Sequence, residues 1–317
     1  MASAVRASGL TRDFGAGRGL FDLDLEIPPG QVFGYLGPNG AGKTTTIRLL
    51  MGLARPNRGS ASILGLDCQT QSVEVKRHVG YAPGEPPQFG GLRGREIIAY
   101  LGAMAGGVDQ AHVTRLSDRL RLDLSRRFRE YSTGNKKKLV LVVAFMHRPQ
   151  LLILDEPTSG LDPLNQQEFY AMVREARRDG ATVFLSSHVL SEVEHVCDRV
   201  GIIRAGRLAT VASLEELHEI RVHRVEMEFA GEVPVAAIRA AAGVRDVVAE
   251  NRRVRCVVSG SFEPLMTAVA GAHVVNLSSH EPTLEESFLA YYSEPAHAAG
   301  GAGAAGAVSP EAVTSPC

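Results

Sequence analysis

The chain has 317 residues, 44% hydrophobic and 22% charged, with a formal net charge of −1 at pH 7. That length supports one large domain with a smaller one, or two of medium size. The near balance of charge excludes a general nucleic-acid binder, which needs a surplus of Lys and Arg to neutralise phosphates, so no nucleic-acid partner is expected.

At the start, Met1 to Arg6 shows no charged region followed by an apolar one, so no signal peptide is expected. Residues 2–27 alternate and carry turn residues between Asp13 and Gly19, which predicts two antiparallel strands. Phe14 lies in that turn. Its residue type alone reads as a ring folded onto the core, the alternative being a ring that stacks on a nucleobase. Gln31 to Leu36 is an apolar run that predicts a buried strand, and Thr45 to Met51 predicts a helix ended by Gly52. Arg58 to Gly65 predicts a turn and short strand. A further strand ends at Ala82, where the proline-stiffened segment Pro83-Gly84-Glu85-Pro86-Pro87 begins.

From Leu92 to about Met146 the pattern is helical, with Ile97, Ile98, Leu101 and Met104 at helical spacing. The block is also basic, from Arg115 through Arg129 to Lys136, Lys137 and Lys138. This predicts a solvated helix face, the alternative being a face near anionic lipid headgroups. Leu151 to Glu156 predicts a short buried strand ending in the acids Asp155 and Glu156. Leu164–Arg178 predicts a helix, Ala181–Ser186 a strand, Ser187-His188 a junction to a helix through Val196, and Val200–Leu208 a hairpin. Strands alternating with helices predict a mainly parallel sheet covered on both faces. The composition changes after Ile220, and the order strand, helix, strand, strand, helix, strand over 222–277 predicts a ferredoxin-like α+β unit. A closing helix is predicted over Leu284–Tyr292, and residues 294–317, rich in Ala, Gly, Ser and Pro, predict a disordered tail.

The longest apolar run, Leu139 to Met146, is far short of the ~20 residues a spanning helix needs, so any membrane role is expected to come through a partner. Cys68, Cys197, Cys256 and Cys317 are scattered and form no metal-type pair, so they read as free thiols in a reducing compartment.

The segment Gly37-Pro38-Asn39-Gly40-Ala41-Gly42-Lys43-Thr44-Thr45 fits G-x-x-x-x-G-K-[ST] between a predicted strand and a predicted helix. Its glycines let backbone N–H groups converge on a phosphate, and the helix start adds its positive dipole end. Lys43 supplies a charge for the β- and γ-phosphates of a nucleotide such as ATP, and the Thr44 hydroxyl can ligate Mg²⁺. Asp155, an acid at the end of an apolar strand, needs a cation beside it and is read as holding Mg²⁺ through water. Glu156 is placed to polarise an attacking water as general base.

Five further segments stand in order around this loop, and together with it residues 5–215 resemble the ATP-binding subunit of an ABC transporter. Tyr131-Ser132-Thr133-Gly134-Asn135 resembles the family signature, usually Leu-Ser-Gly-Gly-Gln. Leu151 to Glu156 resembles the second nucleotide motif, Ser159-Gly160-Leu161-Asp162 the dimer-contact loop and Ser187-His188 the switch histidine. Phe14 matches the position of the adenine-stacking aromatic, against its residue-type reading. The resemblance implies ATP and Mg²⁺ as cofactors and a head-to-tail homodimer or heterodimer. Ser132, and the N–H groups from Gly134 onward, then bind the γ-phosphate held by Lys43 of the partner subunit. It implies that His188 bridges that phosphate and the carboxylate of Glu156. His147 and His195 match no motif and read as surface or packing residues.

Two departures stand out. Gly84 occupies the position of the usual Gln, so Glu85 is read as taking over part of the Mg²⁺ or water contact, with Pro86-Pro87 docking on a membrane subunit. Thr133 and Asn135 replace Gly and Gln of the signature. Glu281 to Tyr292 is similar to the C-terminal end of daunorubicin-type multidrug and antibiotic exporter ATPases.

The expectation is an α/β P-loop NTPase of the ABC type, residues 1–220, with an antiparallel β piece and a helical subdomain at about 92–147. An α+β accessory domain at 221–293 and the tail follow. The expected function is an ATPase at the cytoplasmic face of the membrane, energising an exporter for a drug, antibiotic or lipid-like substrate. Its expected partner is an integral membrane permease on a separate chain. The alternatives are an ABC-type ATPase acting on ribosomes or DNA, and a P-loop phosphotransferase. A single P-loop without a coiled coil speaks against the first, and the signature segment speaks against the second.

Overall fold

The computed structural model describes residues 3–214, 216 and 222–280. In chain order the first part runs β1 (Val5–Asp13), β2 (Gly19–Ile27), β3 (Val32–Leu36), α1 (Lys43–Leu50), β4 (Arg58–Ile63), β5 (Leu66–Asp67), α2 (Ser72–His78) and β6 (Val79–Ala82). Then come α3 (Gly94–Met104), α4 (Gln110–Arg119), α5 (Thr133–Phe145), β7 (Leu151–Asp155), α6 (Pro163–Arg178), β8 (Thr182–Ser187), α7 (Leu190–Val196), β9 (Arg199–Arg204) and β10 (Arg207–Ser213).

The central sheet has the order β10-β9-β3-β8-β7-β6. Its strands from β9 to β6 are parallel, and β10 closes it as an antiparallel edge. The alternating faces of the strands feed two cores. Val32, Leu36, Leu152, Leu154, Val183 and Leu185 pack with the helices on one side. Phe33, Tyr35, Leu151, Ile153 and Phe184 point the other way, toward α1 and the antiparallel sheet β2-β1-β4-β5. Parallel strands buried on both faces read as near-continuous apolar runs. β3, β7 and β8 are buried at every position, with polar residues only at the ends of β7 and β8 (Asp155, Thr182, Ser186 and Ser187). The parallel order sends the loops after β3, β7 and β8 to one edge, where ligands of open α/β sheets bind.

The helical stretch expected over 92–146 is three helices and a short 3₁₀ turn, Phe128–Glu130. Gly106 and Gly107, at φ +91° and +107°, end α3, and Asp109 caps α4 by accepting the Ala111 N–H at 2.9 Å. Among the described residues no helix is long and apolar enough to cross a membrane. Cys68, Cys197 and Cys256 are free and buried.

After residue 221 come β11 (Val222–Phe229), α8 (Val235–Ala240), β12 (Val244–Glu250), β13 (Arg253–Ser259), α9 (Glu263–Val269) and β14 (Val274–His280). The sheet order β12-β13-β11-β14, antiparallel throughout, is the ferredoxin-like arrangement read from the element order. It encloses its own core, with Val225, Met227, Phe229, Ile238, Val258 and Leu265. The helix expected over 284–292, the tail over 294–317 and Cys317 lie outside the described residues.

Candidate functional site

The glycine loop leaves β3 at Gly37, where a Cβ would stand 2.3 Å from the Ile203 carbonyl oxygen. The Gly37 N–H donates to the Ser187 carbonyl at 3.2 Å, which ties the loop to the end of β8. Gly40 and Gly42 have φ of +80° and +112°, a region that glycine enters without steric cost. No side chain caps α1, so the N–H groups of its first turn remain available to an anion.

Lys43 is buried. Its Nζ donates to the carbonyls of Gly37 at 2.6 Å and Pro38 at 3.2 Å and lies 3.1 Å from Glu156 Oε1. Glu156 follows β7 with φ +46°, a costly conformation for a glutamate, of the kind that clusters at functional sites. Its N–H donates to the Ser186 carbonyl at 3.2 Å and to Ser186 Oγ at 3.1 Å. Glu156 Oε2 pairs with His188 Nδ1 at 2.7 Å. One carboxylate thus joins the loop lysine to the histidine after β8.

Beside this relay, Asp155 is buried. Its Oδ2 accepts from Thr44 Oγ1 at 3.0 Å and its Oδ1 from Ser186 Oγ at 2.6 Å. A hydroxyl beside a carboxylate is a donor set suited to a hard divalent cation that takes its other ligands from phosphates and water. Among the described residues no three His, Cys, Asp or Glu stand together as a metal group. Glu85 is exposed, so the structure does not bring it to Asp155 and Glu156 as a third acid. The backbone at Gly84 does come close, since a Cβ there would lie 3.3 Å from Asp155 Oδ2.

Phe14 is 54% exposed, with the Arg12 guanidinium 5.1 Å over its ring. The reading of a ring folded onto the core is therefore wrong. The short turn after Asp13 has its hydrogen-bonding needs met locally, by Phe14 N–H to the Arg18 carbonyl at 2.9 Å, and no pocket has to receive the ring. The turn ends beside the glycine loop, with the Gly19 carbonyl oxygen 3.2 Å from where a Cβ on Gly42 would be.

Ser132, Thr133, Gly134 and Asn135 open α5. Ser132 is its N-cap and accepts the Asn135 N–H at 3.3 Å. A Cβ on Gly134 would come within 2.8 Å of the Gly160 carbonyl oxygen, so this helix start lies directly against the 159–162 loop. In that loop Asp162 is exposed and caps α6, accepting the Asn165 N–H at 3.0 Å. Hydrogen bonds from Asn165 hold its carboxyl below the usual aspartate range. Among the described residues no hydrogen bond or ion pair links 132–135 to 37–45 or to Glu156.

The solvated face expected for the basic block holds for Arg115, Arg121, Arg126, Arg127 and Arg129 but fails at Lys137 and Lys138, which are 2% and 8% exposed. The reason is that α5 packs under β6 within the helical core. Lys137 Nζ donates to the carbonyls of Pro83, Gly84 and Asp155 at 3.2, 3.1 and 3.1 Å. Burial pulls its ammonium down to about 8, opposed by the nearby Asp155 and Glu156. His195 stacks on Tyr170 with ring centroids 5.2 Å apart, a packing role as expected.

Sequence reasoning also missed Ser186, which positions both acids, and Glu192. The Glu192 carboxylate accepts from Thr158 Oγ1 at 2.5 Å and Ser187 Oγ at 2.6 Å, tying the segment after Glu156 to the one before His188. The Ser186-Ser187-His188 run was the available signal, since hydroxyls at a strand end beside two acids are natural partners for them.

A buried lysine in a glycine loop, a hydroxyl–aspartate pair and a glutamate–histidine pair at one sheet edge suit nucleotide phosphate transfer to water. The ABC transporter family profile matches residues 20–159. A bacitracin transport ATP-binding protein of Enterococcus faecalis is 34% identical over 222 residues, 69% of this chain and 72% of that one. A daunorubicin resistance ATP-binding protein of Streptomyces coeruleorubidus is 32% identical over 301 residues, 90% of this chain and 95% of that one. The chain belongs to the ABC transporter family. It is an ATP-binding subunit and an ATPase, with the P-loop NTPase fold. A solved ATP-binding subunit of an ABC transporter matches this ABC subunit with a TM-score of 0.63 at 32% identity, over 68% of this chain and 92% of that one.

Proposed function

We propose that this ABC subunit powers export of a drug, antibiotic or lipid-like molecule through an integral membrane permease on a separate chain. It works in pairs at the cytoplasmic face of the membrane. The observation that carries the reading is a site in two halves. Lys43, Thr44, Asp155, Glu156 and His188 are assembled at one sheet edge. Ser132 and Thr133 at the start of α5 are exposed, and among the described residues that helix start has no bond to the assembled group. The names of the bacitracin transport and daunorubicin resistance relatives support export as the task.

In this reading residues 37–45 wrap the phosphates with backbone N–H groups, and Phe14 stacks on the adenine. Thr44 and Asp155 would hold Mg²⁺, which would supply charge neutralisation for the nucleotide phosphates. Lys43 Nζ turns from Glu156 Oε1 to a phosphate oxygen. The freed Oε1 takes the proton of the attacking water, while His188 Nδ1 fixes the carboxylate through Oε2. The partner subunit closes the γ-phosphate with its own copy of the Ser132–Asn135 helix start, and Asp162 lies at the pair contact. Glu85 remains a candidate contact for Mg²⁺ or water once nucleotide is bound. The division into an ATPase domain to about residue 220 and an accessory domain from 221, with a support or regulatory role in the pair, belongs to the same proposal.

Two measurements test it. Phosphate release by the purified chain with MgATP should rise more than linearly with protein concentration, because pairing precedes turnover. Affinity capture from solubilised membranes should recover a multi-span membrane protein. Full turnover by an isolated copy overturns the paired site, and recovery with ribosomes and no membrane partner overturns the exporter.

A further inference from the structure

Lys137 has no part in the site as read so far, yet it is as deeply buried as Asp155 and more so than Lys43. Its single nitrogen is bonded to carbonyls from two separate segments. Pro83 and Gly84 begin the loop after β6, and Asp155 ends β7, with all three contacts at 3.1–3.2 Å. An ammonium has three N–H donors, and each has one acceptor here. A buried charge tolerates such a place only when its donors are matched, so the three carbonyls cannot drift independently.

Each joined segment carries something the site needs. Asp155 holds Thr44 and Ser186 through its carboxylate. The helix that carries Lys137 begins at the Ser132 cap. The loop runs at Gly84 beside Asp155 Oδ2, where a Cβ would be 3.3 Å away. Gly84 offers no side chain and Glu85 is exposed, so the loop is fastened at this point through its carbonyls. A compact ammonium suits three convergent carbonyls better than the planar fork of an arginine.

Resting on the ATPase reading above, we propose that Lys137 is a positioning residue. Its ammonium sets the distance between the 83–87 loop and the acidic end of β7, so that a shift of the loop is passed to Asp155 and alters turnover. It touches no nucleotide, so ATP affinity is left largely alone.

The test is MgATP turnover of Lys137→Met in the full chain, with kcat and KM separated, folding checked by circular dichroism, and binding measured with a fluorescent ATP analogue. The expected result is a kcat about 10- to 100-fold lower, the usual scale for loss of a residue that orients a metal-site carboxylate, with KM and analogue affinity within about threefold. Gly84→Ala perturbs the same spacing without removing a charge, and its Cβ forces a shift of a few tenths of an ångström. It should lower kcat about threefold, a fraction of the hundredfold that a 1 Å misplacement costs. A folded Lys137→Met enzyme with wild-type kcat, or a matched rise in KM with kcat unchanged, overturns the proposal. If Lys137→Met does not fold, wild-type kcat in Gly84→Ala overturns it alone. Absence of ATP turnover in the wild-type chain overturns the underlying ATPase reading instead.

Discussion

Replacing Glu156 by glutamine should separate binding from hydrolysis, and the structure says by how much. Glu156 Oε1 lies 3.1 Å from Lys43 Nζ and Oε2 lies 2.7 Å from His188 Nδ1. Glutamine keeps the shape and one acceptor but loses the charge. As general base, Glu156 accounts for about 10²- to 10⁴-fold in rate, or about 3–5 kcal/mol of barrier. Binding moves the other way. In the free chain the carboxylate competes with phosphate for Lys43. Coulomb attraction at 3.1 Å with an effective dielectric near 20 is about 5 kcal/mol. Desolvation offsets most of that, leaving about 1 kcal/mol as the competition removed by the substitution. That is about fivefold tighter ATP binding. Phosphate release at saturating MgATP reads the first effect, titration with a fluorescent ATP analogue the second, and size exclusion with ATP should show a trapped dimer. Turnover within about threefold of wild type refutes the general-base role. Weaker binding refutes the competition for Lys43, and a monomer at high concentration refutes the paired site.

Lys43→Ala removes the charge that meets the phosphates, and calorimetric titration should show ATP affinity about 10- to 100-fold lower, the scale of one or two charge-assisted hydrogen bonds. Phe14→Ala should weaken ATP about tenfold, the scale of an aromatic stacking contact, while inorganic triphosphate binds as before. Equal affinity in wild type and variant would rule out adenine stacking. Gly134→Ala places a Cβ 2.8 Å from the Gly160 carbonyl oxygen, and denaturant unfolding should show a loss of about 1–3 kcal/mol for the overpacked contact. An unchanged midpoint would show that the helix start and the 159–162 loop are not held tightly together.

Much of the site was legible in the order of residues because it is built from local chemistry. Residues 37–45 bind phosphate through backbone N–H groups, and glycine content with a following helix start is enough to announce that. Asp155 and Glu156 were legible as acids ending an apolar strand, and the second domain from its alternation of strands and helices. Glu85 was read as a replacement ligand from its place in the chain alone. Its side chain is exposed, while the backbone at Gly84, one residue earlier, lies beside Asp155.

The sequence by itself determined most of the strands, which loop is built for phosphate and which two acids serve it, since each depends on neighbours a few residues away. Tertiary structure alone decided the strand order, the pairing of Glu156 with both Lys43 and His188, and the burial of Lys137. Those pairings join residues 113, 32 and 18 to 54 positions apart in the chain. A charge run such as Lys136-Lys137-Lys138 looks the same in sequence whether it meets water or carbonyls. Only the packing of α5 under β6 supplies the acceptors that make a buried ammonium stable.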